Sequence, residues 1–174
     1  FKEVLGREIT LPLPRLTYQE AMERYGSDKP DTRYGMEITD LSDLVRGCGF
    51  SVFTNAISAG GSVRCITAKN AVHTLTRKEI DKLTEMVRGI GGKGLAWVRL
   101  TEDGMTSSFA KFMTEAEMQA ILARAGAATG DVVLIIADAK TNHVLTELGA
   151  VRIELAHKLD LIPKDQFNLL WVVE

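Results

Sequence analysis

No stretch of this sequence approaches the roughly 20 consecutive apolar residues that a membrane-spanning helix needs. The opening, FKEVLGREI, has neither the apolar core nor the cleavage site of a signal peptide. Cysteine is scarce, and neither Cys48 nor Cys65 stands in a metal-ligand cluster. The three histidines, His73, His143 and His157, are too scattered for zinc spacing. A formal net charge of −2 removes any global signature of a nucleic-acid binder. These absences lead us to expect a cytoplasmic, metal-free chain with no membrane segment. What is present is ordinary: 174 residues, 45% of them hydrophobic and 25% charged. A chain of that length buries most of its apolar surface, as one domain with attached arms or as two small ones.

The first fifth reads as an arm with too few apolar residues for its own core. LPLPR is extended, and Thr17-Tyr-Gln-Glu20 is a capping box that opens a short helix, stopped at Gly26. RYGSDKPDTRYG (24–35) follows. Pro30 disfavours helix at Lys29 and Asp28 can bond its own backbone, so the stretch is either a polar connector or the edge of a working site. A brief helix is expected near Leu41–Arg46. From Phe50 the pattern becomes regular. SVFTNAI (51–57) and SVRCITA (62–68) read as strands joined by Ser-Ala-Gly-Gly as a hairpin. Thr76-Arg-Lys-Glu79 caps a helix whose apolar positions Ile80, Leu83, Val87 and Ile90 share one face. GLAWVRL (94–100) is a third strand. A helical turn at Ser107–Phe112 precedes a helix from Thr114 to about Ala125. DVVLIIADA (131–139), continuously apolar and β-branched, is a central strand. A last helix runs from Thr141 to Lys158, and QFNLLWVVE is a return arm. The expected fold is an α+β two-layer sandwich: a four-stranded, mainly antiparallel sheet with helices on one face, plus an additional helix. Because the first residue is not methionine and WVVE looks like a strand cut short, we expect an excised piece of a longer protein.

Candidate chemistry is thin. RGIGGKG (88–94) lacks the Ser or Thr that a phosphate loop places after its lysine, and it runs from helix to strand; it is a glycine-rich helix stop. Glu115 and Glu117, two apart, do not face one another and suit the first turn of a helix. Ser107 and Ser108 have no visible histidine base. No catalytic constellation and no metal site emerges. Between Arg64 and Arg99, however, eight basic side chains stand against three acidic ones. Arg77, Lys78, Lys82, Arg88 and Lys93 are the candidate phosphate contacts of that patch; the alternative is a solvated helix face. No aromatic platform is interleaved with them, and Trp97 reads as core, which argues against base-specific reading of single strands.

The arms carry a resemblance. LPLPRLTYQEAMERYGSDKPDTR (11–33) resembles the segment of bacterial-type aspartyl-tRNA synthetases that reads close to PFPRMTYAEAMxRYGSDKPDxR, and FNLLWVVE (167–174) resembles the strand with which their catalytic core resumes. LTRKEID (75–81), GGKGLAWVRL (91–100), SSFAKFM (107–113) and LGAVRIELAHKLDLI (148–162) are similar to their GAD insertion domain. Departures are mild: Leu13, Leu16 and Glu174 stand where Phe, Met and Asp are usual.

The resemblance implies an arm from the class II core over 1–46, a DCoH-like β-β-α-β-β-α GAD domain over 47–160, and a return arm over 161–174. It also implies ATP- and Mg2+-dependent ligation of aspartate to tRNA-Asp through an aspartyl-adenylate, by a cytoplasmic homodimer. The ATP-gripping motifs fall outside this chain, so it is expected to bind no cofactor and to be inactive alone. Ser27, Asp28, Lys29, Asp31 and Arg33 are then an ion-paired hinge or a wall near the adenylate pocket. The inserted domain lies on the acceptor-stem side of tRNA in the family. Two alternatives stay open: a GAD-type tRNA-contacting module of a tRNA-dependent amidotransferase, and a docking or spacer domain without RNA contact.

Overall fold

Val132–Asp138 (β6) is a strand with no polar face, and its position explains why. In the computed structural model, which describes Gly6, Ile9 and residues 11–174, β6 lies between two antiparallel neighbours. Ser62–Ala68 (β3) pairs along its whole length, Val63 opposite Ala137 and Ala68 opposite Val132. Ala96–Thr101 (β4) pairs on the other side, from Ala96 opposite Ile135 to Arg99 opposite Val132. Thr39–Asp40 (β2) and Gly104–Ser107 (β5) close the edges, giving the order β2-β3-β6-β4-β5. The opening FKEVLGREI lies mostly outside the described residues.

Side chains alternate across this sheet and fill two cores. On one face Ile66, Ala68, Trp97, Val132, Leu134 and Ile136 meet the helices Arg77–Gly89 (α3) and Thr141–Lys158 (α5). On the other, Val63, Cys65, Val98, Val133 and Ile135 meet Phe53 of Ser51–Ser58 (α2), Met118, Ile121 and Leu122 of Glu115–Arg124 (α4), and Leu41, Val45 and Phe109. Burial pushes the Cys65 thiol up to about 12, so it is an inert core group.

The α+β class, the antiparallel sheet and the central place of β6 agree with the sequence reading. Four expectations are corrected. The sheet has five strands rather than four: the two edge strands were not read, because β2 has only two residues and β5 falls in a polar stretch with no alternating pattern, while one expected strand is a helix. Helices cover both faces rather than one. Residues 51–57 form α2, not a strand, since helical spacing puts Phe53 in the second core and packs Ile57 against it. Near residues 41–46 there are turns instead of the expected brief helix, and Asp40 Oδ1 accepts from Ser42 N at 2.8 Å.

Capping is as read, with one exception. Thr17 with Glu20 and Thr114 with Glu117 are complete boxes at Tyr18–Tyr25 (α1) and α4. At α3 Thr76 accepts from Glu79 N, but the Glu79 carboxylate turns away to Lys82 and to Lys158 of α5, each at 2.6 Å. That side chain fastens one helix to another instead of closing its own cap. The arms meet as well: Arg15–Thr17 (β1) pairs in parallel with Trp171–Val173 (β7), Leu16 opposite Val172.

Candidate functional site

The loop over 26–37 is built around an arginine of α5. Helix α1 ends at Gly26 in the left-handed conformation (φ 67°), donating to Met22 O at 2.9 Å. There the chain presses backbone to backbone against Gly149: a Cβ on Gly26 would stand 2.8 Å from Gly149 Cα and closer to Leu145 O. Only glycine fits. The following residues wrap the guanidinium of Arg152, which is 2% exposed. Its Nε donates to Gly35 O (3.0 Å) and Met36 O (3.1 Å), Nη1 to the Tyr34 hydroxyl (3.1 Å), and Nη2 to Asp31 O and Gly35 O (2.6 Å each). The Tyr34 and Tyr25 rings lie 4.2 and 4.9 Å from its central carbon. Gly35 and Met36 are both left-handed (φ 62° and 55°), and Met36 tolerates this uncommon geometry because both carbonyls are held. Burial lowers the Arg152 pKa and raises those of Tyr34 and Tyr25.

The sequence-derived junction residues divide around this centre. Asp31 and Arg33 are brought together at 2.6 Å, and hydrogen bonding with the guanidinium holds the Asp31 carboxyl below the ordinary carboxylate range. Arg33 Nη1 also donates to Pro163 O (3.2 Å) and Gln166 O (3.4 Å), and Asn168 Nδ2 donates to Thr32 Oγ1 (3.3 Å). The loop therefore ties the outgoing arm, α5 and the return arm into one clasp. Ser27, Asp28 and Lys29 stay on its outer side: Ser27 Oγ accepts from Lys29 N, and Lys29 pairs with Asp28 at 2.8 Å. Arg24 forks onto Glu37 at 2.7 and 2.9 Å, and that contact, first, lowers the Glu37 pKa. Between the arms a cleft of about 680 Å³ is lined by Leu13, Leu16, Tyr25, Phe167 and Leu169 among others. Arg152, Tyr34 and Glu37 were missed from sequence. A signal existed for the first: Leu148, Val151, Arg152, Leu155 and Ala156 follow the spacing of a buried helix stripe, so Arg152 stands where an apolar residue belongs.

The second candidate, the basic patch, is largely paired. Arg77 reaches Asp81 (3.0 Å) and lies over the Trp97 ring at 4.9 Å; Lys82 meets Glu79 (2.6 Å), Arg88 meets Glu85 (2.6 Å) and Lys93 meets Asp138 (2.9 Å). Arg64 and Lys69, from the same stretch, reach Asp40 and Asp131. Acids remote in sequence supply three of these partners, which a local count could not see. Lys78 has no ion-pair partner among the described residues. Ser107 and Ser108 hydroxyls accept backbone N–H groups of Phe109, Ala110 and Trp97 and serve as local braces.

Comparison with known proteins places this geometry. The GAD domain family model matches residues 53–148. The chain is 50% identical over 173 residues to the aspartate–tRNA(Asp/Asn) ligase of Bacillus cytotoxicus, 51% over 175 to the aspartate–tRNA ligase of Ruminiclostridium cellulolyticum, and 52% over 174 to that of Clostridium botulinum. These alignments take in 99–100% of the chain and 29% of each relative, so the chain spans under a third of the length of the curated relatives it matches. With the domain model covering more than half of its residues, and the matched span holding most of both cores of the sheet, the chain belongs to the GAD domain family.

Proposed function

We propose that the chain is the insertion region of an aspartate–tRNA ligase, joined at β1 and β7 to a class II catalytic core that carries the chemistry. The observation that supports this best is the likeness at both arms as well as the centre: the relatives match from end to end of the chain, not only over the GAD span. That also favours a ligase over an amidotransferase subunit. The pairing of β1 with β7 sets the two arms side by side, as two neighbouring strands of such a core would be. In this reading the parent is a cytoplasmic homodimer that uses ATP and Mg2+ to charge tRNA-Asp, and the GAD domain stands beside the acceptor stem as an accessory without catalytic groups. Among the described residues no cluster of acidic, histidine or cysteine side chains suits a metal ion. The clasp supports a positional role for Asp31 and Arg33, holding the two arms in register.

The decisive experiment is a chimera. This chain replaces the matching segment of the Clostridium botulinum ligase, and aminoacylation is measured with aspartate, ATP and tRNA. Activity within about tenfold of the unaltered enzyme, a barrier change near 1.4 kcal/mol, is expected. A soluble, dimeric chimera without activity overturns the reading. In the same assay the 174-residue chain by itself yields no aspartyl-tRNA; turnover by the chain alone also refutes the assignment.

A further inference from the structure

We propose that the groove between α2 and the α3–β4 turn is a seat for single-stranded RNA, one base lying against Phe50 and Val52 and its phosphates on Arg88 and Lys93. The proposal rests on the reading of the chain as part of a tRNA enzyme, and it names the surface and the form of RNA involved.

The groove exists because two strands part. The ladder between β4 and β6 ends at Ala96 opposite Ile135, and beyond it Gly94 and Leu95 diverge from Ala137. Small residues, Ala56, Ala59, Ala96, Ala137 and Ala139, leave the space between open, about 590 Å³ in all. Thr84, Asn55 and Ser108 add polar groups to the lining. One wall is aromatic and rigid. The Phe50 ring lies nearly parallel to Phe112 (5.3 Å, 17°) and Phe109 (5.7 Å, 21°) and meets Phe53 edge-on at 4.8 Å. Val52 beside it is 50% exposed, Phe112 is 44% exposed, and the Lys111 ammonium stands 4.9 Å from the Phe112 ring centre. Phe50 and Phe112 are far from the basic stretch in sequence, so this aromatic surface next to cations was invisible there.

The opposite rim carries charge. Arg88 and Lys93 line the groove with side chains 57% and 70% exposed. Arg88 is not withheld by its partner: its pair with the exposed Glu85 contributes about 0–1 kcal/mol, which a phosphate in the same place replaces. Lys93 is held more firmly by Asp138, a buried carboxylate that also lines the groove. A fixed ring face beside mobile cations is what sequence-tolerant single-strand binders combine, the base stacking and the backbone following the charge. A duplex offers no free base to such a wall. An apolar peptide would use the wall but has no call on the two cations.

The test measures binding of the 174-residue chain to a labelled single-stranded RNA of about ten nucleotides, and to the same RNA in duplex form, with folding checked by circular dichroism. Charge geography separates a seat from general attraction. Arg88 lies on the same helical face as Thr84, which also lines the groove, whereas Lys78 and Lys82 do not line it. The double variant R88E/K93E should weaken single-strand binding by at least about tenfold, and K78E/K82E, with the same change in net charge, by no more than about twofold. Val52→Asp, which removes apolar wall without touching either cation, should also weaken it. Because Lys93→Glu adds an acid beside Asp138 and the nearby Glu147, Lys93→Gln is run alongside and should lose part of the affinity with the fold intact. Equal losses in both double variants overturn the seat in favour of diffuse attraction. Tighter binding of the duplex, no binding of either RNA, or capture of an apolar peptide unaffected by R88E/K93E overturns it too. Since the readout needs no aminoacylation, a failed chimera and a failed seat are told apart.

Discussion

Arg152 and Arg88 are both arginines on amphipathic helices, and both belong to charge-rich stretches, yet they do opposite things. Arg152 faces inward, has exchanged water for backbone carbonyls, and stands between two tyrosine rings. Arg88 faces outward and shares a single carboxylate with the solvent. The first charge is structural because its partners are fixed main-chain atoms that have no other donor; the second is available because its partner is exposed and replaceable. The comparison teaches that charge density in a sequence says little until one knows whether the partner is backbone or water.

The contrast breaks if Arg152 proves dispensable. Arg152→Met should cost on the order of 3–5 kcal/mol in urea unfolding, because it removes at once the charged donor to the Asp31, Gly35 and Met36 carbonyls and the Tyr34 hydroxyl. Arg152→Lys should recover part of that loss, since an ammonium cannot fork across Gly35 and Asp31 carbonyls together. Next in size is Gly149→Ala, whose methyl would run into Gly26 O; a loss of about 1–3 kcal/mol is expected from the displaced backbone. Arg33→Ala should cost about 1 kcal/mol, and its clearer sign is faster proteolysis near residues 163–168, where its carbonyl contacts hold the return arm.

The α3 side gives the small effects. Lys82 and Lys158 hold the Glu79 carboxyl at about 2, well below its ordinary 4.5, with Lys158 the larger influence. A depressed carboxylate stabilises the fold above its unfolded value, and that contribution drains away as pH falls from 4.5 through 2. Glu79→Gln should therefore differ from the parent chain in thermal midpoint at neutral pH and converge with it near pH 2. Lys82→Ala should shift stability by no more than about 0.5 kcal/mol at neutral pH, the usual scale for an exposed pair.

Much of the fold could be read directly. β6 was legible because six residues of unbroken apolar sequence fit only a strand covered on both sides; α3 and α4 announced themselves through Thr caps and helical spacing, and α5 through spacing alone. Residues 51–58 misled because Val52, Phe53 and Ile57 carry strand-forming side chains and Phe50 offers no capping group; the neighbouring core overrode local preference. Of the site, Asp31 and Arg33 were visible as a charged turn. Their centre was not, because Arg152 lies more than a hundred residues away and only the folded chain brings it to Gly35. Likewise the basic stretch looked unbalanced until Asp40, Asp131 and Asp138 arrived from other strands.

The same-direction alignment of β1 and β7 has a bearing on how this module can be gained or lost. Two strands running the same way cannot be joined by a tight reverse turn; the chain must travel back along their full length first, which takes a dozen or more residues. Cutting at Thr17 and splicing directly to Trp171 would leave both strands without that return path. A shortened descendant would have to keep α1, or some equivalent stretch, as a bridge over the pair.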